Sequence, residues 1–216
     1  MSWLVRMEVD ANTATAICAT DSYGWHKRLW DCFPGEPNRK RDYLTRVDLL
    51  EGAFRIWIIA LGKPTRPGWC NSEDFALKEI SPSFLSHRYY AFDLRANPIK
   101  TKTQRGPNGE TLLREGGKRK QGKRVPLTKK EDLRAWIYRK GATKGFRILD
   151  EKPLEIGPMV GAYFSKKNQS AYHGGVQFRG VLEVTDSGQF VEAYYNGIGS
   201  AKSFGFGLLL LAPTSP

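Results

Sequence analysis

The sequence predicts an α+β protein with two tandem ferredoxin-like domains, each of the order βαββαβ, joined by a basic linker. Its 216 residues are enough for two domains of about 100 residues each. Hydrophobic residues make up 40% of the chain and aromatic residues 12%, which is typical of a globular protein. Strand-like and helix-like runs follow the same order in both halves, although the halves share no similarity residue by residue. We therefore expect an N-terminal domain at 1–99, a linker at 100–123 and a C-terminal domain at 124–216.

The first half begins with a strand and a helix. Residues 3–9, WLVRMEV, alternate loosely between apolar and polar side chains, as strands do. Residues 20–22 offer helix-capping side chains, and Pro34 ends the helix that follows. Residues 35–52 are polar and contain Gly, Pro and Asn, so we expect mostly loop there. The remaining elements are strands at 54–61, 75–80 and 89–94, with a short turn or helix at 82–87.

The second half follows a connecting segment rich in Gly, Lys and Arg at 100–123, which reads as a flexible loop. A strand is expected at 124–127, and Thr128 can cap the next helix, with Glu131 completing a capping box. Lys140-Gly141 ends that helix. The elements that follow are a strand at 146–149, a hairpin with a polar tip at 163–178, a strand at 176–184, a helix at 187–195 and a strand at 206–211.

Positive charge is concentrated in one quarter of the chain. Lys and Arg number 34 against 22 acidic residues, a net charge of +12. Residues 101–150 alone carry 15 basic and 5 acidic residues, a net charge of +10. A concentrated basic block predicts a polyanionic partner, with nucleic acid first and an anionic membrane surface second. A membrane-surface adaptor ranks last, because the sequence has no cationic amphipathic helix with an exposed apolar face.

Several classes of protein are disfavoured by the sequence. No signal peptide is recognisable at the start, and no apolar run approaches the ~20 residues of a membrane span. The three cysteines are widely spaced without a CxxC pair, which suits free thiols in a reducing compartment, so we expect a soluble, cytoplasmic protein. The three histidines are far apart and form no HxH or HExxH motif. We therefore expect no metal ion and no cofactor.

Residues 21–33, DSYGWHKRLWDCF, contain the most interesting of the three histidines. At ~100° per residue, Trp25, Leu29, Cys32 and Phe33 form one buried stripe, and Tyr23, His26 and Trp30 lie at its border. Tyr23 and His26 are i, i+3 neighbours that can address one small volume. A border histidine is held by packing yet reaches solvent, and it titrates near neutral pH, so it suits proton transfer. The alternative is a histidine that only packs and bonds a carbonyl.

Three further segments are candidates for binding an anion. NGIGSAKSFGFG at 196–207 is Gly-rich, is neither a Walker loop nor a Rossmann fingerprint, and carries Lys202 in its middle. The stretch 118–147 holds twelve Lys or Arg residues against two acids. The hairpin at 163–178 has a polar tip with Lys166 and Lys167. Each is also compatible with a solvated turn, loop or hairpin tip.

Four stretches together carry a family resemblance. They are YxxHxxLWxxFP at 23–34, FDLRANP at 92–98, GKRVPL at 122–127 and GIGSAKSFGFGL at 197–208. They span nearly the whole chain and resemble the CasE family, the CRISPR repeat-processing endoribonucleases of the type I-E Cascade complex. The resemblance implies two ferredoxin-like domains and metal-independent cleavage of precursor CRISPR RNA at the base of each repeat stem-loop. It also implies that the chain retains the mature CRISPR RNA and joins other Cascade subunits; isolated, it is expected to be a monomer.

The resemblance also implies roles for particular residues. It places His26 and Tyr23 at the cleavage site, with His26 as general base or acid and Tyr23 orienting the reacting groups or sharing proton transfer. Lys167 or Lys166 would offset charge on the phosphorane, and the products would be a 2′,3′-cyclic phosphate and a 5′-hydroxyl. RNA contacts are expected from Lys27, Arg28, Lys118, Arg119, Lys120, Lys123, Arg124, Arg134, Lys140, Lys144, Gly199, Ser200, Lys202 and Ser203. The alternative function is a non-catalytic RNA-binding protein, scaffold-like or ribosomal.

Overall fold

The computed structural model describes residues 1–35, 41–117, 121–166 and 169–215. Its strands form two larger antiparallel sheets and one two-stranded sheet. The strands are β1 Trp3–Asp10, β2 Tyr43–Leu49, β3 Ala53–Ala60, β4 Phe75–Glu79, β5 Tyr89–Ala96, β6 Ile99–Thr103, β7 Gln121–Pro126, β8 Phe146–Ile148, β9 Glu155–Lys166, β10 Gln169–Val184 and β11 Leu209–Pro213. The α-helices are α1 Ala11–Ala16, α2 Ser22–Arg28, α3 Lys130–Ala142 and α4 Ser187–Asn196, and 3-10 helices lie at Leu29–Cys32, Pro82–Leu85 and Lys202–Phe204.

The two large sheets share one strand order. The first sheet runs β2-β3-β1-β4, and the second runs β11-β5-β10-β8, with β9 paired to β10 outside that path. In both sheets the first strand of the unit lies between its third and fourth strands, and every pair is antiparallel. In the second unit, α3 connects the first two strands and α4 the last two, which completes a βαββαβ order.

Strand β2 corrects the expectation that residues 35–52 are mostly loop. Residues Tyr43–Leu49 pair with β3 along their whole length, and four successive residues from Tyr43 are buried. The sequence there looks polar because it includes Arg46 and Asp48, whose charges are paired within the protein. Buried ion pairs therefore replace the apolar alternation that usually reveals a strand.

Strand β2 also changes the half to which β5 belongs, because the sequence predicts β5 as the last strand of the first half. With β2 counted, the first sheet is complete without β5, which instead pairs with β10 and β11. The domain limits at 1–99, 100–123 and 124–216 stay a prediction. Strand β5 lies before residue 99 in the chain, yet it belongs to the second sheet.

Two local expectations in the basic segment are also corrected. Residues 100–123 are not simply a flexible loop, because β6 and β7 pair within this region. The helix α3 has Lys129 at its N-cap without a side-chain cap hydrogen bond, so the capping box predicted for Thr128 and Glu131 is wrong. Glu131 and Asp132 in the first turn still complement the helix dipole.

The core has one part under each sheet and a third part between them. The first part confirms that the four residues of the predicted stripe, Trp25, Leu29, Cys32 and Phe33, are all buried. The α-helix itself is shorter than the expected helix, because α2 ends at Arg28 and a 3-10 helix follows at Leu29–Cys32. The third part joins Leu44 and Ile59 of the first sheet to Tyr194 and Leu208 of the second unit. This shared apolar cluster holds the two units against each other. None of the helices in the described ranges is long and apolar enough to span a lipid bilayer.

Candidate active site

Helix α2 is fixed at its start by a cap and a close packing contact. The Asp21 side chain accepts a hydrogen bond from the Gly24 backbone N–H at 2.6 Å, as an N-cap residue does. A Cβ at Gly24 would lie 2.5 Å from the Cys18 carbonyl oxygen, so only glycine lets the helix come this close to the preceding turn. The Arg28 side chain donates to the Ile17 carbonyl at 2.6 Å. These contacts hold the helix that carries Tyr23 and His26.

His26 faces the Gly-rich loop, residues 197–207, across the boundary between the two units. Its ring is half-buried, and the ring centroid lies 6.4 Å from that of Phe204. Tyr23 is also half-buried, and the Lys27 ammonium lies 4.9 Å from the Tyr23 ring centroid. Helix α2 also lies against β9, which ends at Lys166. The border position predicted for Tyr23 and His26 is confirmed.

The Gly-rich loop has a backbone that its glycines make possible. Gly199, Gly205 and Gly207 have φ values of 93°, 86° and 87°, in the left-handed region that favours glycine. A Cβ at Gly207 would lie 2.8 Å from the Ile198 carbonyl oxygen. The Gly207 N–H donates to the Arg95 carbonyl at 2.7 Å, and the Gly207 carbonyl accepts from the Ile198 N–H at 2.9 Å. The loop is therefore closed on itself and tied to β5, which places Phe204 opposite His26.

An aromatic cavity of about 400 Å³ opens beside His26. We use this name for the space between α2, the strands β2 and β3, and the Gly-rich loop. Its aromatic walls are Trp25, Phe54, Phe204 and Phe206, and His26 also lines it. Arg95 contributes a guanidinium to the same lining. Tyr23 is not among the lining residues that the structure describes, so His26 is the group of the pair that faces this space.

A network of charges next to the cavity was missed by sequence reasoning. Arg46 of β2 is paired with Asp48 at 2.9 Å and with Asp93 of β5 at 2.7 Å, and its side chain is only 4% exposed. Arg95 pairs with Asp48 at 2.6 Å and donates to the Val47 carbonyl at 2.7 Å. Asp93 and Arg95 lie in the FDLRANP stretch, which carried the family resemblance without an assigned role. The network connects β2 of the first sheet to β5 of the second.

The charge of Asp93 is held by its partners. Burial alone would raise the pKa of this carboxyl, but hydrogen bonds and charge from Arg46, with further hydrogen bonds from Arg179 and Gln177, outweigh it. The pKa of Asp93 therefore lies below its ordinary value. Removing one partner of a buried, charge-assisted pair of this kind destabilises the fold, because the other charge stays buried without compensation.

Three of the predicted RNA-binding lysines converge on one place. Lys140 at the end of α3 lies with its ammonium 5.8 Å from the Trp136 ring centroid, and the Gly-rich loop packs against the same ring, since a Cβ at Gly199 would be 3.3 Å from it. Partial burial, then the charges of Lys144 and Lys140, lower the pKa of Lys202. Positive charges that repel each other in this way form a place where an anion is stabilised.

The other predicted contact residues lie in varied settings. Lys27, Arg28, Lys123 and Arg124 are exposed. Arg134 pairs with Asp150 at 3.1 Å, so part of its charge is already neutralised. Three more predicted contact residues, Gly199, Ser200 and Ser203, lie in the Gly-rich loop. The Ser200 hydroxyl donates to the Asn97 side-chain oxygen at 2.8 Å, and Ser203 lines the aromatic cavity. Lys118, Arg119, Lys120 and Lys167 lie outside the described residues.

Nothing in the described part of the chain resembles a metal centre. No group of three or more His, Cys, Asp or Glu side chains in that part is arranged to hold a metal ion. The cysteines are spread, with Cys18 exposed and Cys32 and Cys70 buried as free thiols.

Comparison with known proteins decides the family. The family described as "CRISPR associated protein" matches residues 2–213. A curated relative, the "CRISPR system Cascade subunit CasE" of Escherichia coli (strain K12), is 32% identical over 193 residues, which cover 89% of this chain and 92% of that protein. The chain belongs to the CasE family. A second relative, the "CRISPR-associated endoribonuclease Cse3" of Thermus thermophilus, is 28% identical and covers 98% of this chain and 100% of that protein.

A solved structure extends the CasE likeness to three dimensions. The CRISPR endoribonuclease Cse3 bound to a 19-nucleotide RNA superimposes with a TM-score of 0.70 at 25% identity, covering 98% of this chain and 99% of that one. This agreement over nearly the whole length confirms the predicted fold class of two ferredoxin-like domains.

Proposed function

We propose that this CasE family member is an endoribonuclease that cuts precursor CRISPR RNA at the base of the repeat stem-loop without a metal ion. The observation that carries the proposal is the meeting of His26 with Phe204 of the Gly-rich loop, at the rim of the aromatic cavity. A titratable ring at the boundary of two domains can face a substrate held by both. The relatives named CasE and Cse3 support the same substrate, since one is a Cascade subunit and the other an endoribonuclease.

The reaction needs no external nucleophile. The 2′-hydroxyl on the 5′ side of the cut attacks the phosphorus, so a P–O2′ bond forms while the P–O5′ bond breaks. A base takes the 2′-hydroxyl proton, and an acid gives a proton to the departing O5′. The products are a 2′,3′-cyclic phosphate and a 5′-hydroxyl. Neither water nor an oxidant enters the step, and the enzyme has to align three atoms and stabilise one added negative charge.

We assign the proton transfer to His26, as general base or general acid, with Tyr23 orienting the reacting groups or sharing the transfer. Tyr23 lies one helical turn before His26, and the Lys27 ammonium lies 4.9 Å from the Tyr23 ring centroid, which holds a positive charge beside the proposed site. We propose that Lys167 or Lys166 offsets the added charge of the phosphorane; Lys167 and the side chain of Lys166 lie outside what the structure describes, and the support is that β9, which ends at Lys166, lies against the helix that carries His26.

The RNA itself is held mainly through its phosphates. The exposed or half-buried cations Lys27, Arg28, Lys123, Arg124, Arg134, Lys140, Lys144 and Lys202, together with Lys118, Arg119 and Lys120, offer a positive surface, and the loop residues Gly199, Ser200 and Ser203 add backbone and hydroxyl contacts. Recognition of this type reads the shape of an A-form stem and weakens with salt. One relative is named as a Cascade subunit, and we propose that this chain also assembles with other Cascade subunits. We further propose that it keeps the mature CRISPR RNA and that the isolated chain is a monomer.

The test uses a stem-loop RNA transcribed from the repeats of the genome that encodes this chain. Incubated with the protein in EDTA, it should give one discrete cut with a 2′,3′-cyclic phosphate end. His26→Ala should abolish cutting while the dissociation constant for the stem-loop stays within about threefold. His87→Ala is the matched control, because His87 also packs one ring on an aromatic neighbour, at 6.0 Å from Tyr90, but lies away from the cavity.

The two candidate functions give different results in this assay. An RNA-binding scaffold would bind the stem-loop with the same salt dependence and leave it intact. Full cutting by His26→Ala, or cutting only when magnesium is added, contradicts the assignment of His26.

A further inference from the structure

The aromatic cavity is larger than proton transfer by His26 requires. A histidine that acts on a phosphate needs only access to two oxygen atoms, yet His26 borders a space of about 400 Å³. Pockets that take small organic ligands begin at roughly 300 Å³ and are mostly apolar with a few placed polar groups. The cavity has this character, with four aromatic side chains and the hydroxyl groups of Thr45 and Ser203 in its lining.

The chemistry of the proposed cut supplies an occupant for this space. In a regular A-form stem the 2′-oxygen, the phosphorus and O5′ are far from a straight line, so the stacked RNA cannot react. A nucleotide beside the scissile phosphate has to rotate out of the stack before the attack becomes in line. Its base then loses its stacking partners, which is unfavourable unless another flat surface replaces them.

We infer that the aromatic cavity receives one nucleobase that flanks the scissile phosphate and is extruded from the stem. The inference rests on the proposed function, because it needs the phosphate at His26. A base that stacks on Phe204 comes close to His26, because the rings of Phe204 and His26 are already neighbours. Aromatic side chains are the usual receivers of unstacked bases in single-stranded RNA recognition, and they accept any base.

Polar groups in the lining suit a base edge. Ser22 and Trp25 both line the cavity, and the Ser22 hydroxyl oxygen is buried without a hydrogen-bond partner in the part of the chain that the structure describes. A buried polar group without a partner is costly, and a serine hydroxyl can turn toward a ligand. Arg95 also lines the cavity, with its guanidinium already paired to Asp48 at 2.6 Å. Leu49, which is 76% exposed, offers an apolar contact in the lining.

The test is a cycle that pairs a change in the protein with a change in the RNA. Single-turnover cleavage rates are measured at saturating protein for the ordinary stem-loop and for stem-loops with an abasic site at each nucleotide beside the cut. The protein variant is Phe204→Leu, which keeps an apolar side chain but removes the ring. The matched control is Phe84→Leu, because Phe84 is also a half-buried aromatic residue of a 3-10 helix with a ring neighbour, 6.1 Å away at Tyr90.

We expect Phe204→Leu to slow cleavage of the ordinary RNA by about fivefold or more, the lower end of what stacking on an aromatic ring provides. At one flanking position the abasic RNA should lose this sensitivity, so that wild type and Phe204→Leu cut it at similar rates. Phe84→Leu should change neither rate. The cycle compares variants on the same RNA, so the cost of unstacking the base cancels.

A second variant covers the case in which Phe204→Leu does not fold. Leu49→Ser changes an exposed side chain of the cavity and should show the same dependence on the base, whereas Leu113→Ser, which changes a leucine that is 59% exposed elsewhere, should not. If both cavity variants slow every RNA by the same factor, they act through His26 alone and the inference is wrong. If wild-type protein leaves the ordinary stem-loop uncut, the proposed function fails and this inference with it.

Discussion

The clearest stability prediction concerns Arg46, which connects the two sheets through a buried charge. In Arg46→Met, Asp93 and Asp48 lose hydrogen bonds of 2.7 and 2.9 Å to a side chain that is only 4% exposed. Removing one partner of a buried pair usually costs about 3–5 kcal/mol, because the other charge stays buried. Here Asp93 keeps Gln177 and Arg179, and Asp48 keeps Arg95. We therefore expect a loss of about 2–4 kcal/mol in the free energy of unfolding.

The assay is thermal unfolding followed by circular dichroism at neutral pH. For a chain of this size, each kcal/mol lowers Tm by roughly 2–4 °C, so Arg46→Met should unfold about 4–16 °C below wild type. Arg134→Met is the control, because Arg134 makes an ion pair of 3.1 Å with Asp150 while its side chain is 53% exposed. An exposed pair contributes about 0–1 kcal/mol, and Tm should fall by no more than about 4 °C. An equal fall in Tm in the two variants would show that the buried pair between the sheets stabilises the protein no more than an exposed pair does.

Three further outcomes follow from the same structure. The pKa of Asp93 lies below its ordinary value. The ionised carboxylate therefore contributes stability above about pH 4, and this stability is lost as pH falls through the folded-state pKa. When Tm is measured from pH 6 to pH 3, it should fall less steeply in Asp93→Asn than in wild type. Burial raises the pKa of Cys32 to about 12 and that of Cys70 to about 11, while Cys18 is exposed. An aromatic disulfide reagent at pH 8 should therefore react with one thiol in the native protein and with all three after unfolding. Rapid reaction of all three thiols in the native protein would contradict their burial. Lys202→Met should reduce the slope of log affinity for the stem-loop against log salt by roughly 0.7–0.9, the effect of one lost phosphate contact, and an unchanged slope would exclude Lys202 from the RNA surface.

The helix that carries His26 could be predicted well from the sequence. Its stripe of large apolar residues has a helical period, and Trp25 and Leu29 are buried as that period requires. The border position of His26 follows from the same wheel. The helix start also agrees, because Asp21 was among the capping residues that the sequence offered.

Strand β2 could not be predicted because its polar residues are buried for a reason outside the strand. Arg46 reads as a surface residue until Asp93, forty-seven positions later, is known to accept its hydrogen bonds. A pattern within one segment contains no information about such a partner. The capping box at Thr128 failed differently, since the helix begins at Lys130 and leaves Thr128 before the N-cap.

The meeting of His26 and Phe204 likewise depends on contacts between distant segments. Both segments were singled out separately, one for its helical wheel and one for its glycines, and nothing in either spacing joined them. What joins them is the fold, through the shared apolar cluster and the ion pairs between β2 and β5. The aromatic cavity could not be predicted for the same reason, because its lining comes from four separate segments of the chain.

Arg95 shows how closely the site depends on both sheets. Its side chain donates to the Val47 carbonyl on β2, while its own carbonyl accepts from the Gly207 N–H of the Gly-rich loop. Val47 and residues of the Gly-rich loop both line the aromatic cavity, and they are neighbours there, since a Cβ at Gly205 would lie 3.8 Å from the Val47 backbone nitrogen. Arg95 therefore ties β2 and the Gly-rich loop to β5 through two hydrogen bonds of 2.7 Å, and both of these neighbours of the cavity are held in place. A site that must hold a distorted RNA in line for attack gains from such rigidity, because misplacing the phosphate by about 1 Å can cost a hundredfold in rate.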